Sequence, residues 1–338
     1  MRIDIWALVE VSGGRILRVS AEALSEAVRQ ATQARGLSSA LVVGCDPEER
    51  LLKDILSHGP DRVFVLQSEA LSVVERPPSV EDLERLIRSR RPRALLLGNT
   101  AAARDFAPRL AARLRCPLAT EVSYLNPQGA LSLFTRPAFR PHASMILRPR
   151  LPGFHLVLLA SGAMDIEKPG PKPSSVIERI SSTLHFERNP VRVLESVREI
   201  ASAVDLADAE VIVAGGRGMQ SPEHFLLLSE LAEVLGGTVG ASRMAVDARW
   251  CSRDRMVGVT GKIVAPELYI ACGISGAVQH VMGMKGARSV IAINTDPAAP
   301  IFKIATLGIL GDAREVLPAM IAALRKARAR RESMEASP

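Results

Sequence analysis

Along the first third of the chain, short apolar runs alternate with stretches of helical period. The pattern predicts strands over 3–11, 40–43 and 63–66, with helices over 20–34 and near 47–56 between them, the first halted by Gly36. A capping-box pattern, Ser79-Val-Glu-Asp82, opens a third helix that Pro92 closes, and a strand over 94–97 and a helix over 101–114 follow. Strands alternating with helices predict a mostly parallel sheet covered on both faces. Between 131 and 160 the helical pattern vanishes, and strand-like runs, among them 131–135 and 155–159, read as completing the same sheet.

The run Asp165-Ile-Glu-Lys-Pro-Gly-Pro-Lys-Pro-Ser-Ser175 holds three prolines and a glycine in eleven residues, too stiff and donor-poor for an interior element. A domain boundary is expected between this run and Asp205, which divides the chain into 1–190 and 191–338. The rhythm then restarts with a strand over 211–214, the loop Gly215-Gly-Arg-Gly218, and a helix that Ser221 caps and Pro222 begins. Phe225, Leu228, Ala232 and Leu235 share one face of it, and Gly236 ends it. Strands over 268–271 and 290–293 follow; Asp312 caps a short turn, and Pro318 starts a basic terminal helix. The fold class is α/β: two domains with mostly parallel sheets, the C-terminal one Rossmann-like.

Composition narrows the field. Of 338 residues, 47% are hydrophobic and 23% charged, an ordinary globular balance that excludes disordered and collagen-like chains. No apolar run approaches the roughly 20 residues of a membrane span, so membrane insertion is not expected. The net charge of +7 raises nucleic acid as a partner, but aromatics make up only 4%, too few for base-stacking platforms. The cations also fall in separate clusters: Arg88, Arg90, Arg91 and Arg93; Arg136, Arg140, Arg148 and Arg150; and Arg325, Lys326, Arg328, Arg330 and Arg331. We read these as solvated faces and expect no nucleic-acid partner. Cys45, Cys116, Cys251 and Cys272 lie far apart with no CxxC, which indicates neither a zinc site nor a disulfide framework. With an N-terminus that runs straight into a strand-like segment, a cytoplasmic protein is expected.

Ligands of an open parallel sheet bind beyond the carboxyl ends of its strands. In the second half those loops read Gly215-Gly-Arg-Gly218, Gly240-Ala-Ser-Arg-Met-Ala-Val-Asp247, Cys272-Gly-Ile-Ser-Gly-Ala-Val-Gln-His280 and Asn294-Thr-Asp296. Their glycines let backbone N–H groups approach a ligand, and Ser275-Gly276 precedes a helix start suited to phosphate, although tight turns explain such glycines as well. Ser242-Arg243, Thr260-Gly-Lys262 and Gln279-His280 add a fixed cation, hydroxyls and a titratable ring. A flavin that becomes anionic on reduction needs such groups nearby. Arg243 also has Asp247 four residues on as a simple ion-pair partner, His280 can be a core histidine, and Thr260 and Ser275 can be turn residues.

The run Leu268-Tyr-Ile-Ala-Cys-Gly-Ile-Ser-Gly-Ala-Val-Gln-His280, then Gly283-Met284 and Ile291-Ala-Ile-Asn294, resembles the signature of the α subunit of electron transfer flavoproteins (the EtfA/FixB family). Val211-Ile-Val-Ala-Gly-Gly-Arg-Gly218, Val239-Gly-Ala-Ser-Arg243, Thr260-Gly-Lys-Ile-Val-Ala-Pro266 and Gly308-Ile-Leu-Gly-Asp312 agree in order, so the resemblance covers about 205–323. The first half is similar more loosely, chiefly through 104–114 and 134–139. The resemblance implies FAD in the C-terminal domain and a heterodimer with an electron transfer flavoprotein β subunit that holds AMP or a second FAD. It also implies an electron carrier with no organic substrate of its own. The donors would be dehydrogenases such as the acyl-CoA dehydrogenases of fatty acid β-oxidation, and the acceptor a quinone oxidoreductase. Position by position, Arg243 would lie over the flavin ring, Thr260 near N5 within the run Val257, Gly258, Val259, and His280 with Gln279 at the O2 edge. Ser275, Gly276 and Ala277 would hold the pyrophosphate with Arg217 and Ser242, Asn294 and Asp312 would meet the adenosine end, and Val278 and Ala313 would also touch the cofactor.

The chain departs from the family pattern at Val259, where Gln is usual, at Arg249, where Gly is usual, and at Thr295, where Lys is usual. Ala305-Thr-Leu-Gly308 replaces Ala-Asp-Tyr-Gly, removing a carboxylate and an aromatic ring. Two alternatives follow: the α subunit of an electron-bifurcating or Fix-type NADH-dependent complex, and a non-redox nucleotide-binding scaffold subunit.

Overall fold

The computed structural model describes residues 3–12, 14–44, 47–67, 80–126, 133–138, 143–150, 153–181 and 206–335. The chain divides into two compact units, Met1–Ser196 and Val197–Pro338. That division and the expected boundary at 190/191 both fall within 182–205, outside the described residues, as does the cap expected at Ser79.

In the first unit, β1 (Asp4–Val9) leads through a small hairpin, β2 (Val11–Ser12) and β3 (Arg15–Ile16), into α1 (Arg18–Gln33). The expected alternation continues with β4 (Leu37–Gly44), α2 (Glu49–Ser57), β5 (Arg62–Gln67), α3 (Val80–Arg90), β6 (Ala94–Gly98) and α4 (Ala101–Leu114). After these come β7 (Leu118–Val122), β8 (Tyr124–Leu125), β9 (Phe134–Ala138), β10 (Ala143–Leu147), β11 (His155–Leu159) and β12 (Val176–Ser181). Seven strands form a parallel sheet in the order β12-β5-β4-β1-β6-β11-β7. Its strands are apolar on both faces because both are covered: Ile5, Ala7 and Val9 pack in one core with residues of α1 and α2, and Trp6 and Leu8 in another with residues of α3 and α4.

One expectation is corrected here. Only β11 of the 131–160 region joins the main sheet; β9 and β10 pair antiparallel and form a separate sheet with β8. Their half-exposed side chains could not fill a sheet interior buried on both faces. The proline-rich run delivers β12 to the sheet edge beside β5. On the way Lys168 bonds Asp54 at 2.6 Å, Lys172 bonds Asp61 at 2.8 Å, and the Gly170 N–H donates to the Ser57 carbonyl.

The second unit contains β13 (Val211–Gly215), α5 (Phe225–Leu235), β14 (Thr238–Ala241), α6 (Arg243–Asp247), β15 (Leu268–Cys272), α7 (Val278–Met284), β16 (Ser289–Asn294), β17 (Leu307–Leu310) and α8 (Ala313–Glu335). Its five strands are parallel in the order β14-β13-β15-β16-β17. Tyr269 and Ala271 of β15 join the core beneath α7, and Ile270 and Cys272 join the core shared with α5 and α8. The segment 240–247, expected as a loop, is the end of β14 followed by α6. Ser221 does not cap α5, which starts at Phe225 after a turn; the Ser221 hydroxyl instead lies 3.1 Å from Nδ1 of His224. Pro318 does not begin the terminal helix. Asp312 caps it, accepting the Arg314 N–H at 2.9 Å, and α8 runs on through Pro318, which removes a single backbone donor. Among the described residues no helix is long and apolar enough to cross a membrane.

Candidate functional site

In the second unit the chain moves from β13 to β14 on one side and from β15 through β16 to β17 on the other, so the strand order reverses between β13 and β15. A ligand crevice in such a sheet opens beyond the carboxyl ends at this reversal. Hydrogen bonds tie those ends into one rim. The Ser242 N–H donates to Gly215 at 2.9 Å, Gly216 N–H to Cys272 at 2.9 Å, and Gly218 N–H to Gly273 at 3.0 Å. The turn carrying Val257, Gly258, Val259 and Thr260 is held by Val257 N–H to Ala241 and Val259 N–H to Gln279, both at 2.9 Å. Asn294 donates through Nδ2 to the Ile274 carbonyl at 2.9 Å and accepts the Asp296 N–H at 3.0 Å. The Gly311 N–H donates to Asn294 at 3.0 Å, bringing Asp312 and Ala313 to the same edge.

Two glycines show why the loops need this sequence. A Cβ on Gly216 would stand 2.2 Å from the Gly273 oxygen, so the two strand-end loops can cross only without it. Gly276 has φ +86 and leaves no room beside the Ile301 N–H, which donates to Ser275. These glycines therefore serve the crossing of backbone on backbone as well as access for a ligand.

What the rim offers is donors. The backbone N–H groups of Ser275, Gly276, Ala277, Val278 and Gln279 have no acceptor among the described residues. Ser275, Ala277, Val278, Gln279, Thr260 and Arg217 are exposed. Arg243, 70% exposed, lies against Asp247 at 3.4 Å, the ion-pair alternative that its spacing left open. Such a surface pair is worth about 0–1 kcal/mol, so the guanidinium is easily released. Asp312 is engaged by Arg314, which holds its carboxyl down to about 2.

His280 differs from the rest. It is 7% exposed; Nε2 lies 2.9 Å from the Tyr269 hydroxyl, and Nδ1 is enclosed by protein. Burial pulls its pKa down to about 4, opposed by a backbone hydrogen bond with Val257, so the ring is neutral near pH 7. Tyr269 escapes sequence reasoning because its partner is eleven residues away across a strand-to-helix connection, a contact no local periodicity reports. Arg249, where glycine is usual in the resemblance, takes φ 60, a left-handed conformation that glycine adopts without strain.

Open backbone donors, exposed guanidinium groups and hydroxyls suit a dinucleotide with a pyrophosphate. Residues 205–285 match the electron transfer flavoprotein FAD-binding domain, and 5–183 match the electron transfer flavoprotein domain. The chain is 36% identical over 329 residues to the electron transfer flavoprotein subunit alpha of Thermoanaerobacterium thermosaccharolyticum, covering 96% of this chain and 98% of the relative. It is 38% identical over 330 residues to Protein FixB of Clostridium saccharobutylicum, covering 94% and 95%. With the Bacillus subtilis electron transfer flavoprotein subunit alpha it shares 36% over 314 residues, covering 93% and 95%. The chain belongs to the electron transfer flavoprotein α-subunit/FixB family, and its C-terminal unit contains the FAD-binding domain.

Proposed function

We propose that this chain pairs with a β-type subunit and passes electrons one at a time, through FAD held on the second unit's rim, from a dehydrogenase such as an acyl-CoA dehydrogenase to a quinone oxidoreductase. The observation that carries the reading is the run of unpaired N–H donors at 275–279, set on the same rim as Arg217, Arg243 and the Val257–Thr260 turn. Bound there, FAD supplies one-electron chemistry. The chain's own residues do the rest: Ser275, Gly276, Ala277 and Val278 receive the pyrophosphate with Arg217 and Ser242, and Asn294, Asp312 and Ala313 border the adenosine end. Arg243 would meet negative charge on the ring, with Thr260, Gln279 and His280 at its polar edge. Co-purification with the β-type subunit should give one FAD per pair, and Arg243→Ala should lower the potential of the first reduction. A pair devoid of flavin absorbance would refute the reading.

A second reading is a Fix-type complex that splits electrons from NADH; a relative named Protein FixB is 38% identical over 330 residues. Flavin counting separates the two: one FAD with AMP fits the simple carrier, and two FAD fit the Fix-type complex.

A further inference from the structure

At the amino ends of the first unit's sheet, a cavity of about 690 Å³ opens where β1, β6 and β11, neighbours in the sheet, begin. That volume is typical of a small-molecule site. Backbone bonds fix the leads into the strands: the Arg93 N–H donates to Asp4 at 2.7 Å, and the His155 N–H to Arg93 at 3.1 Å. Ile3, Ile87, Leu114 and Phe154 give the cavity an apolar lining, and Asp4, Arg88, Arg91 and Arg93 give it charge. Two of these charges are already engaged. Asp4 accepts the Ser39 hydroxyl at 2.9 Å and lies 3.8 Å from Arg62, while Arg88 lies 2.8 Å from Glu84 and donates to the Arg113 carbonyl at 3.1 Å. Among the described residues neither the Arg91 nor the Arg93 guanidinium has a carboxylate partner or a hydrogen bond. The carbonyl end of α3 favours a cation at 88 or 91. It does not account for Arg93, which lies beyond Pro92 at the start of β6 and is partly buried. Its charge is felt at the buried His155 ring, whose pKa is lowered by burial first and by Arg93 second. A partly buried cation without a counter-charge is unfavourable, and two cations on one cavity repel each other.

We propose that this cavity is a ligand site of the first unit that takes a small organic anion, with an apolar body against Ile87, Leu114 and Phe154 and a carboxylate or phosphate head held by Arg91 and Arg93. A guanidinium fork pairs with either head through two N–H donors, and an anion between the two arginines removes the repulsion that the chain itself leaves uncompensated. The apolar lining calls for a body as well as a head, since inorganic phosphate would cover none of it. The site lies wholly within the first unit and is independent of the FAD reading.

Equilibrium dialysis tests this on the complex purified with its β-type partner, using naphthyl phosphate, naphthylacetate, neutral naphthol and inorganic phosphate as probes. At least one of the two naphthyl anions should bind with a Kd below about 1 mM, the range in which cellular small molecules fill their sites. Naphthol and inorganic phosphate should each bind about tenfold more weakly or worse, because each lacks one half of the ligand. Tighter binding of naphthyl phosphate assigns a phosphate head, and tighter binding of naphthylacetate a carboxylate. Two variants localise the site. Arg91→Gly suits the left-handed backbone at that position, φ 53, so it keeps the fold. It and Arg93→Gln should each weaken anion binding about tenfold and leave flavin content unchanged. No saturable binding, naphthol binding as well as the anions, or anion binding unchanged in either variant would overturn the proposal. Inorganic phosphate binding as well as the naphthyl anions would also overturn it, leaving an adventitious ion only.

Discussion

The two units solve the same architectural problem in opposite ways. Each is a parallel sheet whose strand order reverses, between β1 and β6 in the first and between β13 and β15 in the second. In the first, the carboxyl-end space is occupied by the chain's own acidic groups. The Thr100 hydroxyl, just after β6, lies 2.9 Å from both oxygens of Glu10, just after β1, while Ser20 accepts the Glu10 N–H at 3.0 Å. Glu22 is fully buried beside Arg18 and accepts the Gly162 N–H at 2.9 Å. In the second unit, the loops after β13 and β15 carry glycines, hydroxyls and unpaired N–H groups where the first has carboxylates. A reversal in strand order thus supplies a crevice, and the side chains decide whether the chain fills it or leaves it to an anion.

The sharpest way to break the contrast is to block the open crevice. Gly216→Ala places a Cβ against the Gly273 oxygen and should destabilise the second unit by about 3 kcal/mol, with loss of retained flavin. Urea unfolding followed at Trp250, and absorbance after gel filtration, check both. Next comes the filled crevice. Burial lifts Glu22 to about 7 from an ordinary 4.5, so the folded chain holds a proton there that the unfolded chain has lost. Its contribution is full below about 4.5 and disappears as pH rises through 7. Glu22→Gln should therefore flatten the first unit's stability between those pH values by about 3 kcal/mol, read from urea midpoints at Trp6 fluorescence.

Thr100→Val removes both the Glu10 contact and the cap of α4, where the hydroxyl accepts the Ala103 N–H. A loss of about 1–2 kcal/mol is expected in the same assay. The smallest effect concerns the rim's departure from its family: Arg249→Gly relieves a left-handed backbone and, net of glycine's added chain entropy, should stabilise by about 0.5 kcal/mol in thermal melts. A destabilising result would show that the Arg249 side chain contributes more than its backbone strain takes away.

Much of this was legible in the chain itself, for identifiable reasons. Strands such as β6 and β15, buried on both faces, leave continuous apolar runs, so their carboxyl ends and the residues following them could be located. β12 is an edge strand with no fully buried residue, β9 is mostly half-buried and β10 mostly exposed, so the period of two was too weak to separate them from the main sheet or its margin. Ser221-Pro222 has the composition of a helix start, but its hydroxyl lies against the His224 ring, a local contact that outcompetes capping. At the site, residue types and strand-end positions could be read, whereas the contact between Tyr269 and His280 is visible only once the strand is folded.

The edge strand β12 also bears on how the first unit is made. Val176 pairs with Arg62, more than a hundred residues earlier, after a strap anchored at Asp54 and Asp61. Closing so long a loop is slow, and no shorter piece of chain can finish the sheet. During synthesis, β5 lacks its β12 partner until residues 176–181 have emerged, so an apolar strand stays at an open sheet edge until then.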